Sequence, residues 1–330
     1  MRAVDREAVE GRLHGGPDTK EPMHIGIDDV GTFTPGTEFG YIAAAVVRPG
    51  RSEELRDLLR SWEKQVPSEY RGPSGEVKGH ALPDETLSSF VNEVMLKAEP
   101  PLRYECLGVE LVPETFEAAQ EQRRRTAEHL VEGIERYRAQ GDEFRRIANT
   151  YENMLGWWKN ITDANVLKLI LQSHIIVDTL NFAIGWSAAN SFDGELGDLQ
   201  FKLDEGFLST SEDRKRFWKD LLRSHIWQAT YTKGGLISIE EWTDEHPFNK
   251  TFIHKDLGGN NVELTHEFKT RIQFYKSHET FEIRLADIIG TIIRRDNITD
   301  EFAHLHTART GWRLIRFSGK EAEVPSPYEL

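Results

Sequence analysis

HIGIDDVGTFTPGTEFGYIAAAVV, residues 24–47, is the stretch whose reading decides the fold. His24-Ile25-Gly26-Ile27-Asp28 predicts a short strand bounded by a turn-rich segment, Gly31 to Gly36. Phe39 to Val47 is nearly all apolar or small, the composition of a strand covered on both faces. Together they predict a hairpin with the acidic pair Asp28-Asp29 at the end of its first strand.

Working outward, Ser52 caps a helix with Glu53 and Glu54 in its first turn. Leu55, Leu58, Leu59, Trp62 and Val66 follow at helical spacing. RGPSGEVKGHALP, residues 71–83, is a loop by composition. An amphipathic helix over Asp84 to Lys97 and a strand over Leu102 to Leu111 come next. From Pro113 to about Asn160 the chain is highly charged, with the basic runs Arg123-Arg124-Arg125 and Arg145-Arg146. Glu121, Glu128 and Glu132 interleave with them, as on a solvated helix laced with i,i+4 pairs. These runs, with Arg294-Arg295, Arg309, Arg313 and Arg316, are also the candidate contacts for a phosphate backbone.

A long apolar helix is expected from Ala164 to Ala189, buried against the sheet. Leu199, Phe201 and Leu203 alternate with Gln200, Lys202 and Asp204, a strand pattern. Ser211 to His225 reads as a helix, Leu236 to Trp242 as a late strand and Gly258 to Asn261 as a loop. Phe281 to Arg295 is a last helix with Leu285, Ile288, Ile289, Ile292 and Ile293 on one face. The expectation is α/β: a loose arm over 1–22 and one domain over 23–330, with a helical insertion at about 113–162.

With 38% hydrophobic residues the chain supports a sizeable core, and its formal net charge of −14 argues against a protein that simply coats nucleic acid. The single cysteine, Cys106, excludes an intrachain disulfide and suits the reducing cytosol. The first 23 residues carry no apolar signal region, and no apolar run is read as long enough to span a bilayer. A cytoplasmic setting without a membrane partner is expected.

Four acids stand where chain elements end or turn: Asp28, Glu76, Asp204 and Asp287. Asp28 and Asp204 close strands, and Glu76 lies in the glycine-rich loop two residues before Lys78. Asp287 sits in RLADIIGTIIRR, away from the aliphatic stripe and beside Thr291 and Arg294 on the helical wheel. Converging carboxylates raise one another's pKa unless cations intervene, and Mg²⁺ or Mn²⁺, hard ions that favour oxygen, resolve that conflict. A two-metal site of this kind can activate water against a phosphodiester. Other signals are weaker. His304 and His306 alternate without a third ligand nearby, and His278 lies just upstream of Asp287. Trp157-Trp158 suits packing better than base stacking, and there is neither a P-loop nor a Gly-x-Ser-x-Gly elbow.

In order along the chain, IGIDDVGTFTPGTEFGYIAAAVV, GEVKGH, FKLDEGF and RLADIIG resemble the motifs of the domain-of-unknown-function family numbered 3800, placed with the ribonuclease-H-like folds. The resemblance implies a mixed sheet flanked by helices. It implies metal ligation by Asp28, Glu76, Asp204 and Asp287, with Asp29 as the alternative to Asp28 and Lys78 as an accessory cation. It further implies a Mg²⁺- or Mn²⁺-dependent nuclease acting on DNA or RNA, of a mostly microbial group with some members near mobile-element or phage-defence genes. Two departures stand out. Asp28-Asp29-Val30-Gly31 replaces the usual Asp-Glu-Ser-Gly, and Arg284 replaces a glutamine. The altered opening and the acidic charge favour an alternative, a non-catalytic binding or assembly subunit with a homo-oligomeric or protein partner. Nucleotide phosphoryl transfer is a third option.

Overall fold

The hairpin is the centre of a six-stranded mixed sheet in a computed structural model, which describes residues 22–98, 102–190, 195–208, 211–232, 245–254, 263–264, 266–299 and 311–315. Strands β1 (His24–Val30), β2 (Phe39–Val47) and β3 (Arg103–Glu110) form an antiparallel meander. β4 (Gln200–Asp204) pairs parallel to β1, β7 (Ile272–Tyr275) parallel to β4, and β8 (Gly311–Ile315) parallel to β3. The spatial order is β7-β4-β1-β2-β3-β8, with β5 (Ile253–His254) and β6 (Glu263–Leu264) as a separate small pair. The architecture is α/β, as expected.

Helices cover both faces of the sheet. On one side lie α1 (Ser52–Glu63), α2 (Asp84–Phe90, continued by a π turn over Val91–Met95) and α9 (Phe281–Thr299). On the other lie α3 (Pro113–Ala139), α4 (Arg145–Trp158), α5 (Asp163–Asn190), α6 (Glu212–Thr232) and the short α7 (Pro247–Phe252) and α8 (His266–Arg271). Successive strand residues point to opposite faces. Ile25, Ile27, Phe201 and Leu203 therefore enter the α5 core, whereas Val30 enters the α9 core. Cys106 is buried in β3 on the α9 side, and burial pushes its thiol far above the ordinary range, so it is a packing residue.

α9 runs along β1 at backbone contact. A Cβ on Gly26 would lie 2.2 Å from the Glu282 carbonyl carbon, and one on Gly290 would lie 2.4 Å from Val30 Cγ2. Glycine is required at both positions by this approach. Two ion pairs fix the helix laterally, Lys202–Glu282 at 2.7 Å and Arg284–Glu63 at 2.5 Å.

The charged insertion is α3 and α4. Its inner face joins the α5 core through Ala119, Leu130 and Trp158, and several of its arginines are paired with acids. Arg124 pairs with Glu121 and Glu128, Arg125 with Glu121, and Arg138 with Glu152. The solvated reading of these runs fits. Trp158 is fully buried, and its Nε1 donates to the Arg123 carbonyl at 2.8 Å, so its role is packing. Trp158→Ala is expected to lower unfolding free energy by about 3–5 kcal/mol, the usual range for a buried tryptophan, measured as the urea midpoint at constant m-value.

Several expectations are corrected. β1 does not stop at Asp28 but stays paired with β2 through Val30. The helix expected over Asp84–Lys97 is α-helical only to Phe90. α6 extends past His225 to Thr232, and β7 and β8 were not anticipated. α5 is, by length and composition, long and apolar enough to cross a membrane, contrary to the expectation of no such run; here it is mostly buried within the protein. The N-terminal arm up to residue 21, Leu236–Trp242, Gly258–Asn261, His304, His306, Arg309 and Arg316 lie outside the described residues.

Candidate metal centre

Parallel pairing of β1 with β4 runs from His24↔Gln200 to Ile27↔Leu203, so the next step in register sets Asp28 beside Asp204. Both carboxylates are on the α9 side of the sheet by strand alternation. Asp29, one residue on, leaves toward α5, where Lys168 Nζ meets its Oδ2 at 2.5 Å. At this end of the sheet the three nevertheless converge: one carboxylate oxygen from each of Asp28, Asp29 and Asp204 lies within 4.8 Å of the others. Among the described residues this is the one such group of three potential metal ligands.

Asp287 approaches from α9. Its Oδ2 accepts the backbone N–H of Gly79 at 3.0 Å, which docks the glycine-rich loop on the helix. A Cβ on Gly79 would lie 2.6 Å from Thr291 Oγ1 and 3.0 Å from the Asp287 carbonyl, so the loop sits flush against α9. Arg71 holds the other side of the loop, donating to the carbonyls of Glu63, Val66 and Gly75.

The charges on these acids oppose one another. Burial first, then the charges of Asp204, Asp287 and Asp29, push the Asp28 carboxyl well above the ordinary carboxylate range. Burial and the charge of Asp29 raise Asp204 to about 6, against a lowering hydrogen bond from the Gly206 N–H at 3.1 Å. Burial also raises Asp287, while the Gly79 N–H and the Lys78 charge act the other way. Folding has gathered acids in a place where they ionise poorly without a cation.

Glu76 stands apart from this set. It is buried rather than solvated, and its Oε1 meets Lys78 Nζ at 3.0 Å. Burial would raise its carboxyl, but the hydrogen bond and charge of Lys78 outweigh that and hold it below the ordinary range. Oε2 is buried without a hydrogen-bond partner among the described residues. Lys78 also donates to Ser277 Oγ at 3.1 Å, and its ammonium is close enough to Asp28 and Asp287 for their charges to favour it. Of the expected quartet, Asp28 and Asp204 come together with Asp29, Asp287 is near enough for its charge to act on Asp28, and Glu76 is paired with Lys78. His278 is exposed, and its charge acts on Glu76.

The sequence reading missed Lys168, Ser277 and the Gly79 N–H. A lysine inside an apolar helix, VLKLIL, is a usable signal, since such a residue is seldom buried without a carboxylate. Neither Ser277 nor Gly79 carries any local mark of its role. The donor set is all oxygen and anionic, which fits a hard divalent ion and not a soft one. No family model, curated protein or solved structure matches the chain.

Proposed function

We propose that the chain is a Mg²⁺- or Mn²⁺-dependent phosphodiester hydrolase acting on DNA or RNA in the cytoplasm, built on a ribonuclease-H-like sheet and related to family 3800. The observation that carries the reading is the convergence of Asp28, Asp29 and Asp204 within 4.8 Å, with Asp287 close enough to raise Asp28. An antiparallel meander extended by strands parallel to β1 supports the fold assignment.

Asp28, Asp204 and Asp287 would hold the ion, with Asp29 partly committed to Lys168. Bound there, the ion would polarise the phosphoryl oxygens and lower the pKa of a bound water. The Gly79 N–H keeps one Asp287 oxygen oriented, and the Gly206 N–H does the same for Asp204. Lys78 carries a positive charge at the rim, held in place by Glu76 and Ser277. From there it can steady a phosphate that approaches the acids.

The direct test incubates purified protein with labelled single- and double-stranded DNA and RNA, with Mg²⁺, Mn²⁺ or a chelator. Cleavage of at least one substrate with metal, and of none with chelator, is expected. Failure on all four substrates with both ions overturns the enzymatic reading. A non-catalytic binding or assembly subunit then gains, and one observation favours it. Lys168 on Asp29 and Lys78 near Asp28 and Asp287 already offset part of the acid charge. Absence of Mn²⁺ binding by calorimetry, together with a defined oligomer or partner complex, would establish that alternative.

A further inference from the structure

The arginines of α9 divide by what holds them. Arg284 is held by Glu63 of α1. Arg295 pairs with Asp84 at 2.5 Å and reaches the His80 carbonyl at 3.3 Å. Arg294 is half-buried and has no acidic partner among the described residues. In a chain of net charge −14, a half-buried guanidinium without a carboxylate is an unmet charge.

Its position relates it to the acids. Asp287, Thr291 and Arg294 recur at i, i+4 and i+7 and share one face of the helix. Because α9 lies along β1, with Glu282 over Gly26 and Gly290 over Val30, the helix carries Arg294 past the end of the strand. There the guanidinium lies over Gly31, whose missing Cβ would sit 3.5 Å from both Cζ and Nε. Gly31 has φ of +90°, and the absence of a side chain leaves the guanidinium beside bare backbone at the turn that follows Asp28-Asp29. Arg294 lies seven positions after Asp287, about 10 Å along the helix axis. Between them the Thr291 hydroxyl is buried without a hydrogen-bond partner among the described residues. The helix face that carries Asp287, and Thr291 beneath the Gly79 loop, therefore ends in a planar cation with no acidic partner among the described residues, the geometry suited to a phosphate.

We infer that Arg294 is a positioning residue that holds a backbone phosphate of the substrate strand neighbouring the one at the acids, so that the site takes a polynucleotide rather than a mononucleotide. This rests on the phosphodiester reading above. A phosphate held at Arg294 fixes the strand's direction across the carboxylates and adds attraction where the molecule as a whole repels polyanions.

The test measures binding of a fluorescein-labelled single-stranded deoxyoligonucleotide, and of the ribo-oligonucleotide of the same sequence, with Ca²⁺ present and over a range of salt. For Arg294→Ala, affinity should fall about tenfold, and the slope of log K against log salt should lose about 0.7, the contribution of one single-strand phosphate contact. Arg294→Lys should keep the slope and lose only part of the affinity. Arg295→Ala should match wild type in both, and the Mn²⁺-induced rise in Tm should persist in Arg294→Ala, which shows that the variant is folded with its acids intact. Wild-type affinity and slope in Arg294→Ala would overturn this inference and leave the hydrolase reading standing. No binding of either oligonucleotide by wild-type protein that does bind Mn²⁺ would overturn both.

Discussion

Asp204→Asn is expected to make the metal-free protein more stable at pH 7 while removing both the Mn²⁺-induced rise in Tm and nucleic-acid cleavage. Asp204 titrates at about 6 in the folded chain against an ordinary value of 3.8, so the folded state favours its protonated form. Its stabilising contribution is complete below the ordinary value and is lost as pH rises through about 6. The interval corresponds to on the order of 3 kcal/mol, which partial solvent exposure reduces to roughly 1–2 kcal/mol. Asp28 and Asp287 are raised too, so their ionisation adds cost of the same sign.

With chelator present, wild-type Tm should therefore fall between pH 4 and pH 7. Saturating Mn²⁺ should restore it, because ion binding is linked to deprotonated ligands and to the folded state. The asparagine variant removes the repulsion and the ligand together, and its cleavage rate should drop on the order of 10³-fold or more, as for loss of one member of a catalytic unit. A thermal-shift series over pH, with and without Mn²⁺, reads all of this. An unchanged Mn²⁺ shift in the variant would remove Asp204 from the site.

Gly26→Ala should be the most damaging single-methyl change on this surface. Its Cβ would meet the Glu282 carbonyl carbon at 2.2 Å, carbonyl oxygen at 2.3 Å and Cβ at 2.7 Å, which are backbone or near-backbone atoms that no rotamer change can move. Helix α9 must lift from β1, loosening the Lys202–Glu282 pair and carrying Asp287 away from Asp28. A loss of at least about 3 kcal/mol is expected, the top of the overpacking range, with the Mn²⁺ shift weakened in whatever folds. Gly156→Ala is the control. It lies in α4 with nothing within 4 Å of a new Cβ, and should gain about 0.5–1 kcal/mol. Urea midpoints separate the two, and a neutral Gly26→Ala would show that the helix does not ride on the strand backbone.

The elements that could be read from sequence were those whose own side chains declare both faces. β2 is apolar throughout and feeds both cores, whereas β4, alternating from Leu199 to Asp204, and α5, a long apolar stretch, each declare burial in one core locally. β7, only four residues directly after a short helix, and β8 were not legible because short edge strands are defined by the partner they pair with. The acids divided similarly. Asp28 and Asp204 end up adjacent because two recognisable strands pair in register. Glu76 joins them in the sequence by lying in a glycine-rich loop, and there it pairs with Lys78, two positions on. Lys168 was overlooked because its carboxylate partner is 139 positions away in the chain, on a different element.

Asp28 and Asp29 are consecutive on a central strand, so their side chains leave through opposite sides of the sheet. For both to border one ion-sized space, that space must lie at the sheet's rim, in the notch where β4 stops at Asp204 while β1 continues to Val30. An ion held in that notch would be bounded by strand ends, so its exchange would not require either hydrophobic core to open.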